Sequence, residues 1–159
     1  MLSSEDKQKV EVALNNMGPR LNSDQSKDYS LEDLSVIYSV AYTQYQAGDY
    51  KEAIIVFQRL ASHDPLTVKN WMGLAASLQM EKDYEESLKA WAMASIISPN
   101  DPLPHYHAAE CYLELGNEVE GKKAMSETRS LIKKEEQFYL FNKLESLECC
   151  FKEAHQKGA

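Results

Sequence analysis

The sequence predicts an all-α chain, a solenoid of three helix–turn–helix hairpins between an N-terminal helix and a C-terminal capping helix. Three observations carry that expectation. Apolar residues recur at helical spacing rather than alternating: Trp71, Leu74, Ala75 and Leu78 fall at i, i+3, i+4 and i+7. Residue types return at a fixed, ungapped interval of about 34, the length of a two-helix repeat. Gly (6) and Pro (5) are scarce among 159 residues, leaving little punctuation for strands, while Ala, Leu, Glu and Lys favour helix.

Composition bounds the function. At 43% hydrophobic the chain can fill one sizeable core. A net charge of −8 repels phosphate backbones, and the basic pairs Lys122-Lys123 and Lys133-Lys134 sit near Glu and read as solvated helix faces, so no nucleic acid is expected. The opening MLSSEDKQKV is charged and lacks the apolar stretch of a secretory leader. No apolar run approaches the ~20 residues of a membrane span, so stable membrane insertion is not expected. Three cysteines without CxxC spacing fit a reducing cytoplasm.

Residues 1–29 form a first segment. Ser3 or Ser4 can cap a helix whose face carries Val10, Ala13, Leu14 and Met17. Gly18-Pro19 breaks it and a polar linker follows. The stripe Val10, Leu14 and Met17 needs a partner: it either folds back on its own chain or joins a second copy as a dimerisation segment. Ser30-Leu31-Glu32-Asp33 is a capping-box pattern that starts the next helix, which runs to about Ala47. Gly48-Asp49-Tyr50 turns the chain into a helix holding Ala53, Ile54, Phe57 and Leu60, ended by Asp64-Pro65.

The period is explicit from here. Ile37 returns as Trp71, Val40 as Leu74, Ala41 as Ala75 and Ala109, Leu78 as Tyr112, Tyr50 as Tyr84, Phe57 as Trp91 and Met125, and Pro65 as Pro99. Small residues stand where two helices of a hairpin cross and large ones fill the space between hairpins. Within 30–135 the three units are placed at 34–67, 68–101 and 102–135. The pattern resembles the tetratricopeptide repeat, with departures at Lys82 (a turn glycine), Gly121 (a second-helix alanine) and Lys133 (a closing proline). Residues 136–159 are a last helix and tail. Phe138, Phe141, Leu144, Leu147 and Phe151 form a stripe suited to capping the third unit.

Little in the chain suits catalysis. His105 and His107 diverge on a helix, Cys111 adds no convergent ligand set, Cys149-Cys150 diverge, and no phosphate loop, GxSxG or HExxH is present. Neither an enzyme nor a cofactor or metal site is expected. The helix faces left over from packing are informative instead. In a tetratricopeptide array the first helix of each unit lines a concave groove. Its inward positions here are Tyr38, Tyr42 and Tyr45, then Met72, Ala76 and Gln79, then Tyr106, Glu110 and Leu113. Tyr and Met give such a trough large, adaptable apolar area. It lacks the Lys, Asn and Arg that would grip a terminal carboxylate.

The phrases LEDLSVIYSVAYTQYQAGDYKEAIIVFQRL (31–60), NWMGLAASLQ (70–79) and PHYHAAECYLELG (104–116) resemble the class II chaperones of bacterial type III secretion. The resemblance covers about 30–156. It implies a chaperone of the bacterial cytoplasm that keeps hydrophobic translocator proteins soluble. The groove would take an extended segment near the translocator's N-terminus with spaced Pro and Leu anchors. The resemblance also implies a homodimer. Some members assist a transcription activator, so the alternative is a regulatory adaptor that binds such an activator or a secretion-gate protein.

Overall fold

The computed structural model describes residues 30–133 and 137–156, the last five of these by backbone alone. Seven helices account for nearly all of them: α1 (Leu31–Ala47), α2 (Tyr50–His63), α3 (Val68–Met80), α4 (Tyr84–Ile97), α5 (Pro102–Glu114), α6 (Glu118–Leu131) and α7 (Phe138–Gln156). No strand occurs among the described residues. The expected N-terminal segment, with Val10, Leu14 and Met17, lies outside them.

The capping chemistry read from the sequence forms. Ser30 and Asp33 make a reciprocal capping box on α1: the Asp33 amide donates to Ser30 Oγ at 3.1 Å and the Ser30 amide to Asp33 Oδ2 at 3.0 Å. These hydrogen bonds hold the Asp33 carboxyl below its ordinary pKa. Asp83 and Asn117 cap α4 and α6 by accepting from Glu86 and Glu120 amides, and Pro102 opens α5, where no amide donor is needed.

The three hairpin turns close in the same way. The amides of Gly48 and Asp49 donate back to Tyr45 and Gln44, those of Lys82 and Asp83 to Gln79 and Leu78, and those of Gly116 and Asn117 to Leu113 and Tyr112. Each turn places one residue in the left-handed region, with φ of 85° at Gly48, 64° at Lys82 and 71° at Gly116. Lys82 therefore adopts the glycine conformation without being glycine.

The described residues form two compact units, one ending at Ser98 and one beginning at Pro99. In the first, α1 packs on α2, α2 on α3, and α3 on α4. The expected packing residues are buried there: Ala41, Phe57, Trp71, Leu74, Ala75 and Trp91. Ala75 leaves room for α4 to approach closely enough that Ser87 Oγ donates to its carbonyl at 2.8 Å. The hairpins are stitched end to end as well. Asn70 Nδ2 donates to the Leu60 and Asp64 carbonyls and Trp71 Nε1 to Pro65 O at 2.9 Å, so Pro65 stops α2 and also receives the second hairpin.

In the second unit α5 packs on α6, and α7 lies against both. Leu140 and Leu144 of α7 join Tyr106, Ala109, Ala124 and Met125 in one core. Arg129 of α6 grips α7 from outside. Its Nε donates to Glu148 Oε1 at 3.1 Å, and its Nη2 to Glu148 Oε2 at 2.8 Å and Glu145 Oε1 at 2.5 Å.

Candidate functional site

The first unit presents a tyrosine face on α1. Tyr38 is half-buried, edge-on to Phe57 at 5.7 Å, with its ring parallel to Tyr42 at 6.4 Å. Lys69 of α3 extends over the Tyr38 ring, Nζ 4.5 Å from the centroid. Tyr42 is 50% exposed and its hydroxyl accepts from Gln46 Nε2 at 3.0 Å. Tyr45, one turn on, rests edge-on against Tyr50 at 5.5 Å. Burial raises the Tyr38 and Tyr45 phenols above their ordinary pKa, with the neighbouring tyrosines adding to the shift. These two rings stay neutral through physiological pH and present an amphipathic surface.

On α3, Met72 and Ala76 are partly exposed. Gln79, expected beside them, is tied to the scaffold: its Oε1 accepts from the Trp91 indole at 3.2 Å. Its amide therefore orients Trp91 at the α3–α4 contact.

The second unit departs further from expectation. Tyr106 is only 4% exposed and belongs to the core beneath α7 rather than to an open face. The cause is α7: its Leu140, 34 residues beyond Tyr106, and its Leu144 share one core with that ring. Burial, a hydrogen bond with Glu110 and that carboxylate's charge push the Tyr106 phenol far up. Glu110 Oε2 also lies 2.7 Å from His107 Nδ1, forming a partly buried polar cluster. Leu113 leans on α6, where a Cβ at Gly121 would stand 2.9 Å from its Cδ2. The loss of the second-helix alanine at Gly121 is thus matched by Leu113. Among the described residues no three His, Cys, Asp or Glu side chains converge as metal ligands.

Sequence reasoning missed two features. Lys69 puts a cation beside the tyrosine ladder, a contact between helices that no local pattern records. The outer side of the first hairpin is an apolar hollow of about 280 Å³ between Leu34, Val36, Ile37, Val40, Val56 and Leu60, with Arg59 and His63 at its edge. The repeat held the signal. Adding 34 to Val36, Ile37, Val40, Val56 and Leu60 gives Asn70, Trp71, Leu74, Ala90 and Ala94, all buried, whereas Val36 and Val40 are 60% and 48% exposed.

Comparison with known proteins places this geometry. A tetratricopeptide-repeat family model matches residues 36–62 and 68–101. Low calcium response locus protein H of Yersinia pestis is 31% identical over 111 residues, which cover 70% of this chain and 66% of that relative's length. The Yersinia enterocolitica type III secretion translocator chaperone SycD superposes with a TM-score of 0.71 at 31% identity, over 76% of this chain and 91% of that one. The same chaperone in complex with a peptide of the translocator YopD superposes with a TM-score of 0.76 at 28% identity, over 81% and 99% of the two chains. Among the described residues no helix is long and apolar enough to cross a membrane.

Proposed function

As the chain belongs to the class II translocator chaperones of bacterial type III secretion, a tetratricopeptide-repeat family, we propose that it holds hydrophobic translocator proteins in the bacterial cytoplasm and keeps them soluble before export. Capture is non-enzymatic and needs no nucleotide or cofactor. An extended segment near the translocator's N-terminus lies on the tyrosine face of α1, with Met72 and Ala76 of α3 as further contacts. The observation that carries this reading is the half-open ladder Tyr38–Tyr42–Tyr45, a neutral aromatic surface on a helix whose packing side is already filled by Ala41. Pro and Leu anchors suit it. Each apolar anchor buried there contributes about 1.5–3 kcal/mol. Two or three give micromolar or tighter binding, since about 1.4 kcal/mol is tenfold in affinity.

The buried Tyr106 changes which substitutions test the proposal. A Tyr106→Ala protein would lose core packing, so its failure would say nothing about the face. Tyr42→Glu places a charge at a half-exposed position and leaves the core untouched. Co-expressed with its translocator, this variant is expected to keep its helical signal and to recover at most about a tenth of the wild-type cargo, the loss of one anchor. Full recovery of cargo would reject the tyrosine face as the capture surface. We further propose a homodimer, formed by the N-terminal segment (Val10, Leu14, Met17) together with the apolar hollow on the first hairpin.

A further inference from the structure

A second cavity in the first unit lies away from the tyrosine ladder. It is a crevice of about 310 Å³ between α2 and α4, which both pack on α3. Ile54, Leu74 and Leu78 give it an apolar floor, closed below by Trp71. The Trp71 indole N–H already donates to Pro65, so the floor offers no polar hydrogen of its own from that ring. The rim is acidic: Glu81, Asp83 and Glu86 line it with the cation Lys51, while Lys89, outside the lining, pairs with Glu86 Oε1 at 2.5 Å across the surface and Asp83 accepts from the Glu86 amide. Lys51 holds its place weakly. Its side chain is 83% exposed and its Nζ stands 4.0 Å from Glu81 Oε2, a pair worth at most about 1 kcal/mol. The Glu81 side chain, by contrast, is only 29% exposed, so part of its carboxylate is already withdrawn from water.

An apolar slot of side-chain size under carboxylates suits one kind of group best. Arginine has an apolar stem that covers Leu and Ile surface, and a planar fork that bonds carboxylates in pairs and loses less to desolvation than an ammonium. We propose that the α2–α4 crevice is a second docking site, which takes an arginine-bearing amphipathic segment of a partner protein. The guanidinium takes Glu81 and displaces the half-exposed Lys89 ammonium from Glu86, with an adjacent aliphatic side chain on Ile54 and Leu78. No tyrosine of the capture face lines the crevice, so the two sites can be filled independently. The net charge of −8 steers a basic segment toward the chain. The chaperone would then hold cargo and a basic partner at once.

The probe is a short peptide alternating Leu and Arg, titrated into the full chain and followed by amide chemical shifts. Shifts are expected to cluster at 51–58 and 78–90. Binding should weaken about tenfold or more in Glu81→Gln/Glu86→Gln, the loss of a charge-assisted fork. It should persist in Tyr42→Glu, so failure here is separable from failure of the capture face. Glu120→Gln/Glu127→Gln removes the same charge from the second unit and should bind normally. The proposal is overturned if that control weakens binding equally, if the shifts fall on the tyrosine face, if spermine alone reproduces them, or if no shifts appear.

Discussion

At the turn of the second hairpin a lysine holds a backbone conformation that the other two turns give to glycine. Lys82 sits at φ 64°, beside 85° for Gly48 and 71° for Gly116. A left-handed L-residue costs about 1–2 kcal/mol, while glycine's extra unfolded-state entropy takes back about 0.5–1. Lys82→Gly is therefore expected to stabilise the first unit by about 0.5–1 kcal/mol, read as a higher urea midpoint at unchanged slope. Gly73 is the opposite case. It lies inside α3, where glycine is disfavoured by about 1 kcal/mol, so propensity alone makes Gly73→Ala stabilising. A Cβ there would stand 2.4 Å from the Phe57 ring, which is 1% exposed and cannot retreat. Overpacking dominates, and we expect a loss of about 1–3 kcal/mol. The sign of the measured change decides whether Phe57 rests on Gly73. Lys82 was legible in the sequence as a departure from the turn glycine. Gly73 was not, because its reason is a ring sixteen residues earlier on another helix.

Among the elements, α1 and α7 are held by polar contacts at their ends and edges as well as by apolar packing. The α1 capping box was legible, because Ser30 and Asp33 lie three apart and bond within one turn. Since Asp33 is held below its ordinary pKa of 3.8, its contribution is complete above that value and fades as pH falls below it. Protection of the first-turn amides of α1, measured against their intrinsic exchange rates, should fall in that acid range, and Asp33→Asn should remove the dependence. The anchoring of α7 was only half legible. Its apolar stripe predicts a cap, and Leu140 and Leu144 serve as one. The fork from Arg129 to Glu145 and Glu148 joins two helices at separations of 16 and 19 residues, where no periodicity marks it. Those hydrogen bonds, first to Glu148 and then to Glu145, raise the arginine's pKa, and Phe141 lies 5.6 Å beneath the guanidinium. Arg129→Lys keeps the charge but loses the fork. It is expected to speed exchange of α7 amides several-fold, about 0.5–1.5 kcal/mol for an exposed network, and to leave those of α5 unchanged.

At the scale of the whole molecule, a repeat must end somewhere, and each end exposes a face that neighbours would otherwise cover. The period of 34 made the packing positions legible, since Ala41, Phe57, Trp71, Leu74 and Ala109 are all buried where it puts them. It was less able to assign the remaining faces. Whether an inward position stays open depends on the helix that follows, and for Tyr106 that helix is α7. The same logic exposes the first hairpin. Trp71 and Leu74 are covered because α2 precedes α3, whereas Ile37 and Val40 have no described helix before them. Val36 and Val40 together with Leu34 and Val56 leave an apolar hollow, and burying such side chains in a second copy would contribute about 1.5–3 kcal/mol each. Arg59 and His63 at its margin leave the hollow without an acidic lining residue, so in the wild type no lining carboxylate opposes close approach of two copies of it. Val40→Glu inserts such a charge at a 48% exposed site without disturbing the core. Light scattering of the full chain should then report a monomer in place of the dimer proposed for the wild type, with an unchanged helical spectrum. A dimeric mass for this variant would move the interface away from the first hairpin. Deleting residues 1–20 is the companion measurement: a monomer there as well assigns the stripe Val10, Leu14 and Met17 to the same interface, and a dimer confines the contact to α1 and α2.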